Sequence, residues 1–419
     1  MRSILLALFV FFAIQLNAQR ECATPQYIQA LSSSNTQTAT DIKTAENYSL
    51  RMGTPGFGAS SRLSSDYIIK IPVVIHIVYN DASQNVSEAQ VKSQIDALNR
   101  DFRRLNADSI NTPSPFKSLA ADVQIEFALA TVDAKGKATN GIIRKASSVK
   151  YWQMDDKIKY TAEGGSDAWD SRYYLNIWVG NTRSLLGYSS VIGTPAAKDG
   201  IVINTSAFGT GMSGAFDKGR TAVHEVGHWL GLKHIWGDAL CGDDGIDDTP
   251  KQSGYTTSCP TGVKTSSCSN SAAGDMYMNY MDFTNDGCLN LFTIGQKEHM
   301  RSLFETGAPR NSILSSKGLG IPWVEESPLP DAISPVATAP SQINLYPNPA
   351  SAELVVDFEF DETWIGKQLK IYNINGVAMQ TVNVNSKIQK VSLSGLAPGI
   401  YFLKGINGTK SISKKFIKL

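Results

Sequence analysis

The sequence predicts an α+β unit with a mixed, twisted sheet and several helices, followed by a small all-β sandwich. Apolar runs typical of buried strands alternate with helical stripes up to about residue 318. A proline-rich stretch, 319–340, then interrupts this periodicity, and short strand-like runs separated by turn residues fill 341–419. A chain of 419 residues is also too long for one ordinary domain.

Composition and the N-terminus indicate an exported protein. The chain is 42% hydrophobic and 18% charged, as expected for a globular protein with a core, and its net charge of +1 gives no basic surface for nucleic acid. Residues 1–18 read as a signal peptide, with Arg2 before the apolar run Ile4–Leu16 and Ala18 at the cleavage position. That run is too short for a membrane span, and we expect no transmembrane segment.

Residues 19–61 are interpreted as a propeptide. Ser, Thr, Ala and Gly dominate 30–65 with little periodicity, so this stretch is predicted to be a flexible activation loop. Arg51 and Arg62 are candidate processing positions, with the cut expected before the arginine.

The α+β unit, 62–318, is built from elements that the periodicity predicts in order. A buried strand is expected over Ile69–Tyr79, a helix over Ser87–Asn106, and a half-buried strand over Asp122–Val132. Two short strands, Leu175–Val179 and Ile201–Asn204, precede a histidine-rich helix that begins near Thr221, and a closing helix covers Thr293–Thr306. Buried positions are predicted on the two flanking helices: Val91, Ile95, Leu98, Phe102 and Leu105; Ile294, Met300, Leu303 and Phe304.

The histidine-rich helix carries the chemistry. Three of the five histidines of the chain lie within residues 224–234, in the order His-Glu-x-x-His-x-x-Gly-x-x-His. His224 and His228 are four residues apart and therefore share one helix face, and Gly231 can end the helix so that His234 supplies a third imidazole. This spacing predicts a zinc site with three protein ligands.

Three ligands leave one zinc position open, which distinguishes catalytic from structural zinc. A water at that position has a pKa of about 7. Glu225 lies beside the first ligand and is the predicted general base and acid for hydrolysis of a peptide bond.

The pattern His224–His234 resembles the metzincin metallopeptidases. Together with the stretch Met278–Cys288, it is most similar to the pappalysin family, and the resemblance covers about residues 70–310. It implies a metzincin catalytic domain in which Met281 forms the methionine turn beneath the zinc, protein or peptide substrates, and an edge strand that pairs with substrate. Leu186–Tyr188 is a candidate border of that cleft.

The resemblance also implies a role for Cys22, the odd cysteine of the set. Relatives keep a propeptide cysteine on the fourth zinc position until they are activated, so Cys22 is a candidate zinc ligand of the latent form. The alternatives are an idle or intermolecular thiol and a lipoprotein anchor, although Arg20 and Glu21 do not fit the anchor motif.

The other four cysteines form an even set in an exported protein, which favours two disulfides. The sequence alone allows three pairings. The family resemblance suggests Cys241–Cys268 and Cys259–Cys288.

The acidic loop after His234 is a candidate structural calcium site, because clustered carboxylates suit calcium and relatives bind it in similar loops. A solvated polar loop is the alternative. The candidate ligands are Asp243, Asp244, Asp247, Asp248 and Thr249.

Asp286 and Phe283, which both follow Met281, bear on substrate preference and on the rate of catalysis. The resemblance places an acidic residue in the pocket for the residue after the scissile bond, and Asp286 is the candidate, favouring Arg or Lys there. Phe283 stands where many relatives have a tyrosine that is thought to stabilise the oxyanion, so that contribution would be missing here.

The all-β unit, 341–419, resembles the C-terminal sorting domain of the type IX secretion system. The resemblance rests on the run Leu345–Pro349, on Gly399–Tyr401 and on the basic end Lys414–Phe416. It implies the secretion machinery as a partner and a secreted or surface-attached product. An adhesive or carbohydrate-binding sandwich is the alternative.

These observations predict a secreted zinc endopeptidase made as a latent precursor. Two other classes stay open at this point: a binding or adhesion protein with a degenerate peptidase domain, and a hydrolase that acts on something other than protein. The presence of Glu225 argues against the first.

Overall fold

The computed structural model describes residues 22–52, 66–211, 214–269, 272–322, 343–358, 362–374, 376–407 and 410–419. The chain separates into two compact units, 1–326 and 327–419. The predicted signal peptide, the candidate processing position Arg62 and most of the predicted linker lie outside the described residues. Among the residues described, no helix combines the length and the apolar character that crossing a bilayer requires.

A six-stranded, mainly parallel sheet forms the centre of the first unit. Strand β1 pairs in parallel with β2, β3 and β4, and β4 pairs in parallel with β6. The strands are β1 (Ile69–Tyr79), β2 (Ile125–Leu129), β3 (Ile142–Ala146), β4 (Leu175–Gly180), β5 (Gly187–Ser189) and β6 (Ile201–Asn204). Because β1 and β4 are covered on both faces, they read as nearly continuous apolar runs, which is why the sequence located them well.

Strand β5 is the edge of this sheet and the one strand that runs antiparallel to its neighbour within it. It pairs with β6 from Gly187 to Ser189. The predicted border of the cleft, Leu186–Tyr188, therefore falls on the edge strand. Neither β3 nor the pairing of β5 was predicted, because three to five residues with mixed burial carry too little periodicity.

Among its described residues the first unit has five α-helices: α1 (Thr24–Ser34), α2 (Thr36–Met52), α3 (Glu88–Phe102), α4 (Arg220–Trp229) and α5 (Ile294–Ser302). Ser87 caps α3 by accepting a hydrogen bond from the Gln90 amide (3.1 Å). The prediction that Leu105 is buried was wrong. Helix α3 ends at Phe102, Arg104 adopts φ +50°, and Leu105 is 73% exposed.

The prediction of a flexible loop over 30–65 was wrong for the part that the structure describes. Helices α1 and α2 fill 24–52 and bury Tyr27, Leu31 and Ile42 against the rest of the unit. These apolar residues are few and widely spaced, so contacts with the catalytic unit, and not local propensity, hold the helices.

Helix α5 begins at a complete capping box, in which Thr293 and Gln296 satisfy each other's amides. Met300, Leu303 and Phe304 are buried as predicted, whereas Ile294 is 43% exposed. Ile294 is the first residue of α5, and its side chain is exposed to solvent there.

The described part of the second unit contains seven antiparallel strands in two sheets. One sheet has the order β10-β9-β12-β13 and the other β11-β8-β7. Their shared core includes Leu369, Ile371, Leu403 and Phe416. The strands are β7 (Asn344–Tyr346), β8 (Glu353–Asp357), β9 (Gln368–Asn373), β10 (Ala378–Asn383), β11 (Ile388–Ser392), β12 (Gly399–Asn407) and β13 (Lys410–Lys418), which confirms the predicted all-β fold.

Candidate metal centre and active site

Helix α4 carries the first two histidines, and the turn after it returns the third. All ten residues of α4 are buried, so His224 and His228 lie inside the unit and not on its surface. Gly231 has φ +82°, a conformation that costs an L side chain strain, and the amide of Leu232 donates to the carbonyl of Gly227 (3.0 Å). The chain thereby turns back and brings His234 to the face of α4.

The three imidazoles point their Nε2 atoms at one spot. The Nε2 atoms of His224 and His228 are 3.1 Å apart, those of His228 and His234 3.1 Å, and those of His224 and His234 3.2 Å. Tetrahedral zinc with Zn–N bonds of about 2.0–2.1 Å separates its ligands by roughly 3.3–3.4 Å, so this triangle fits the metal. Burial, with the neighbouring His234, lowers the pKa of His228 to about 3, which keeps the imidazole neutral as ligation requires.

The opposite ring nitrogens fix the orientation of each ligand. His224 Nδ1 lies 2.7 Å from the carbonyl oxygen of Tyr280, and His228 Nδ1 lies 2.8 Å from that of Leu232. His234 Nδ1 lies 2.5 Å from Oδ1 of Asp238. Such partners hold the proton on Nδ1 and leave Nε2 free for the metal. The sequence analysis missed Asp238, although a carboxylate four residues after a ligand was a usable signal.

Glu225 is hydrogen-bonded to the segment that the sequence predicts to be a propeptide. Oε2 of Glu225 accepts a hydrogen bond from Thr24 Oγ1 (2.9 Å), and the same hydroxyl accepts one from the amide of Ser189 on the edge strand β5 (2.9 Å). Thr24 thus ties the predicted base to the sheet edge. No sequence signal pointed to Thr24, because its role depends on contacts across more than 160 residues of chain.

Cys22 completes a four-donor group with the histidines. Its Sγ and the three imidazole nitrogens all lie within 4.8 Å of one another, and all four residues are buried. Cys22 pairs in parallel with Gly187 of β5, and Ala23 N donates to the Gly187 carbonyl (3.2 Å). Burial and the nearby Glu225 carboxylate raise the pKa of the thiol, so a stable thiolate here requires a cation among the histidines.

Met281 lies directly beneath α4. A side-chain carbon placed on Gly227 would lie 2.5 Å from the Met281 sulfur, so the methionine occupies space that only glycine leaves open. Phe283 contacts two ligands, with ring centroids 4.8 Å from His234 and 5.7 Å from His224. The methionine and the phenylalanine therefore form an apolar wall around the metal position.

Asp286 is buried at the start of α4. Its Oδ2 accepts hydrogen bonds from the amides of Lys218 (2.9 Å) and Arg220 (3.1 Å). The sequence analysis assigned Asp286 to the pocket for the residue after the scissile bond, and that assignment stays a prediction. The structure adds a second role, because the carboxylate also satisfies amides at the N-terminus of the metal-binding helix.

The acidic loop does not gather its carboxylates at one point. Asp248 reaches away to the start of α5, accepting from Thr293 Oγ1 (2.6 Å) and the amide of Gly295 (2.8 Å). Asp244 accepts from Thr249 Oγ1 (2.7 Å), while its Oδ2 is buried without a hydrogen-bond partner, and burial raises its pKa to about 7. Calcium binding by Asp243, Asp244, Asp247, Asp248 and Thr249 stays a prediction.

The two predicted disulfides are confirmed. Cys241 is bonded to Cys268, and Cys259 to Cys288. Their two loops overlap along the chain and span the region between His234 and the residues after Met281. This region contains no regular strand or helix among its described residues, so the covalent links supply part of its order.

Two family models match the chain. The model described as "Pregnancy-associated plasma protein-A", a peptidase family, covers residues 159–305, and a secretion system C-terminal sorting domain covers 344–419. An extracellular metalloprotease of Podospora anserina is 30% identical over 306 residues, which is 71% of this chain and 94% of the relative. One from Verticillium alfalfae is 29% identical over 260 residues, 59% of this chain and 80% of that protein.

Solved structures give the same indication. Mature mirolysin of Tannerella forsythia in complex with a cleaved peptide is 50% identical with a TM-score of 0.58, covering 60% of this chain and 97% of that one. A promirolysin mutant from the same organism is 44% identical with a TM-score of 0.63, covering 71% and 97%.

With these similarities, the fold and the site define a secreted or cell-surface zinc metalloendopeptidase of the metzincin type. Within that class the chain belongs to the pappalysin family. It also carries the C-terminal sorting domain that the sequence resemblance indicated.

Proposed function

We propose that the chain is the latent precursor of an endopeptidase in which Glu225 moves the protons of peptide hydrolysis. The observation that carries this proposal is the triangle of Nε2 atoms with separations of 3.1–3.2 Å beside the Glu225 carboxylate. When bound there, zinc supplies Lewis-acid activation of the attacking water and of the substrate carbonyl.

Glu225 supplies the acid–base chemistry in this proposal. The carboxylate takes one proton from the water while the oxygen of that water adds to the scissile carbonyl carbon. It then returns that proton to the leaving amine as the C–N bond breaks, so the residue ends unchanged. In the precursor, the hydrogen bond from Thr24 occupies the oxygen that this role needs.

The edge strand β5 is the proposed substrate-binding strand. Its outer edge has no partner strand of the sheet among the described residues, and the propeptide occupies it at Gly187 and Ser189. An extended peptide can add to such an edge through backbone hydrogen bonds, which recognise peptides without regard to sequence. The propeptide therefore blocks both the metal and the strand.

We infer that latency depends on the Cys22 thiolate as the fourth zinc ligand. The convergence of its Sγ with the three imidazole nitrogens supports this role. Cys22→Ala is expected to give a precursor that cleaves peptides without processing. Full latency of that variant would contradict the assignment.

A preference for Arg or Lys after the scissile bond is the finer part of the proposal. Asp286 is its candidate determinant, because a buried carboxylate favours a basic partner through a charge-assisted hydrogen bond. Asp286→Asn is expected to lower kcat/KM for Arg peptides more than for Leu peptides. An equal loss for both would indicate that Asp286 acts only through the start of α4.

We also infer a structural calcium ion at the acidic loop. The partnerless Oδ2 of Asp244 and the raised pKa of its carboxyl support a cation site at this residue. EGTA is expected to lower the Tm of the wild-type protein, and an Asp244→Asn variant should show little further loss. A wild-type Tm that is insensitive to EGTA would contradict this site.

Peptide-library cleavage by the processed protein tests the function as a whole, with Glu225→Ala as the control. Cuts before Arg or Lys that vanish in the control would support both the mechanism and the preference. Cuts with another preference would leave the mechanism and remove Asp286 as its determinant. A zinc-loaded, processed sample that makes no cut would instead favour a binding protein with an inactive peptidase domain.

A further inference from the structure

Tyr27 of helix α1 fills a socket in the catalytic unit. The side chain is 1% exposed, and its ring centroid lies 4.9 Å from that of Tyr188 on the edge strand β5. Trp178 of β4 and the buried pair Asp156 and Lys159 form further parts of the wall. Since α1 belongs to the proposed propeptide, a precursor side chain closes a socket whose walls belong to the mature enzyme.

The polar groups of the socket match a phenol. The Tyr27 hydroxyl donates to Asp156 Oδ1 (2.6 Å) and accepts from Lys159 Nζ (3.1 Å). A tyrosine hydroxyl is one donor and one acceptor, so both capacities are used here. A phenylalanine ring would fill the same volume but would leave Asp156 and Lys159 without that partner.

The socket also holds a cation among aromatic rings. Lys159 Nζ lies 4.8 Å from the ring centroid of Tyr27, 5.2 Å from that of Tyr188 and 5.4 Å from that of Trp178. It forms an ion pair with Asp156 (2.9 Å), and both side chains are almost fully buried. When Tyr27 leaves, Lys159 loses one of three aromatic faces and one hydrogen bond.

The hydroxyl of Tyr188, whose ring contacts Tyr27, forms no hydrogen bond. It is fully buried. The vacated socket would therefore present an ammonium, a carboxylate and a partnerless hydroxyl around an aromatic-sized space. Such a space favours a ligand with the same chemistry as the side chain that left.

The socket opens at the strand that the substrate is proposed to use. A side-chain carbon on Gly187 would lie 3.1 Å from Glu225 Oε1, so Gly187 faces the catalytic groups. Tyr188, the next residue of β5, points to the opposite face, as alternation along a strand requires. Tyr27 follows Ala23 by one helical turn, and Ala23 is hydrogen-bonded to Gly187.

We propose that this socket is a substrate subsite for a tyrosine side chain in the processed enzyme. Because Tyr188 directly follows Gly187, which faces Glu225, the tyrosine would lie within a few residues of the scissile bond. The subsite rests on the proposed peptidase function and adds a substrate feature that is independent of Asp286.

The test uses the processed wild-type enzyme and matched fluorogenic peptides. The peptides differ only at one position, two to four residues from the scissile bond on either side, which carries Tyr, Phe or Ala. At one position we expect kcat/KM to be about tenfold higher for Tyr than for Ala, and clearly higher for Tyr than for Phe. In the Asp156→Asn enzyme the Tyr-to-Phe ratio should fall to about one.

A competition experiment needs no variant. N-acetyl-tyrosinamide at millimolar concentration should raise KM for the Tyr peptide and leave the Ala peptide unaffected, and N-acetyl-phenylalaninamide should be the weaker competitor. Equal cleavage of the Tyr, Phe and Ala peptides at every position would overturn the subsite and leave the peptidase intact. If none of the three peptides were cleaved at any position, the proposed function itself would fail.

Discussion

At the scale of single residues, one hydroxyl connects the proposed propeptide to the proposed catalytic base and to the sheet edge. Thr24 Oγ1 donates to Glu225 and accepts from the amide of Ser189. A hydrogen bond to a carboxylate contributes about 1.5–3 kcal/mol, and every 1.4 kcal/mol is about a tenfold change in an equilibrium. The threonine therefore adds a second inhibitory contact beside the thiol of Cys22, to which Thr24 is itself hydrogen-bonded.

Thr24→Val should raise the peptide-cleaving activity of the unprocessed precursor by about tenfold. The substitution keeps the shape of the side chain and removes the hydrogen bond to Glu225. Thr24→Ser keeps the hydroxyl and is the matched control, for which little change is expected. The prediction fails if Thr24→Val stays as latent as the wild type in an assay where Cys22→Ala is active.

Asp282 gives the unit a pH dependence. It is fully buried beside Met281, and its oxygens accept from the amide of Thr256, the amide of Phe283 and the side chain of Gln252. Burial outweighs these hydrogen bonds and raises the pKa of Asp282 to about 6. The folded protein thus binds a proton more tightly than the unfolded chain does between pH about 4 and 6.

The stability contribution of Asp282 should consequently fall as pH rises from about 4 to about 6 and stay level above that. The two pKa values differ by about 2 units, which limits the effect to about 3 kcal/mol. Asp282→Asn should remove this slope, so the stability difference between wild type and variant should change most between melts at pH about 4 and pH about 7. Parallel curves for the two proteins across this range would contradict the prediction.

At the scale of elements, α4 depends on two neighbours that its own sequence does not reveal. Arg220 is buried at the first turn and donates to Asp101 of α3 (3.0 Å) and to Asp108 (2.7 Å). These contacts fix the start of the metal-binding helix against α3. At its other side, Gly227 allows Met281 to approach closely.

Arg220→Met should destabilise the first unit by about 3–5 kcal/mol, because the buried guanidinium bridges Asp101 and Asp108, and Asp101 would keep only its ion pair with the partly exposed Arg100. Urea unfolding monitored by tryptophan fluorescence would measure the loss. Arg103→Met is the matched control, since Arg103 pairs with Asp122 in a partly exposed position and should contribute less than about 1 kcal/mol. Equal losses in the two variants would show that burial of the pair is not decisive.

Gly227→Ala tests the approach of Met281 to α4. Alanine favours a helix interior by about 1 kcal/mol over glycine, so a stabilising effect is expected if nothing is in the way. The 2.5 Å contact with the Met281 sulfur predicts the opposite, a loss of roughly 1–3 kcal/mol and weaker zinc retention in chelator competition. Gly287→Ala, which meets open space, is the control, and Met281→Ala should partly rescue the first variant.

Elements with strong periodicity were predictable, and those held by distant contacts were not. β1 and α3 could be located because their apolar spacing is regular over eleven and fifteen residues. The metal ligands could be assigned because the geometry of one helix and one turn fixes their spacing. Helices α1 and α2, Thr24 and the Tyr27 socket depend on surfaces that exist only once the catalytic unit has folded.

At the scale of the whole molecule, the metal and both disulfides belong to the first of two units. The metal donors all precede residue 235, the disulfides end at Cys288, and the second unit has a core of its own. The two units should therefore respond differently to chemical treatment.

Calorimetry of the full chain should resolve two transitions. Adding 1,10-phenanthroline should lower the transition of the first unit, because zinc binds the folded histidines and not the unfolded chain. The transition of the second unit should stay in place. A matched shift of both transitions would contradict independent unfolding.

The overlapping disulfides have a consequence for survival among proteases. Any single cut between Cys241 and Cys288 falls inside at least one of the two loops, 241–268 or 259–288. The two pieces of a nicked molecule therefore remain covalently joined, with the histidine donors on one piece and Met281 on the same or the other piece. A secreted peptidase that is nicked between Cys241 and Cys288 by other active copies therefore stays in one covalently linked piece.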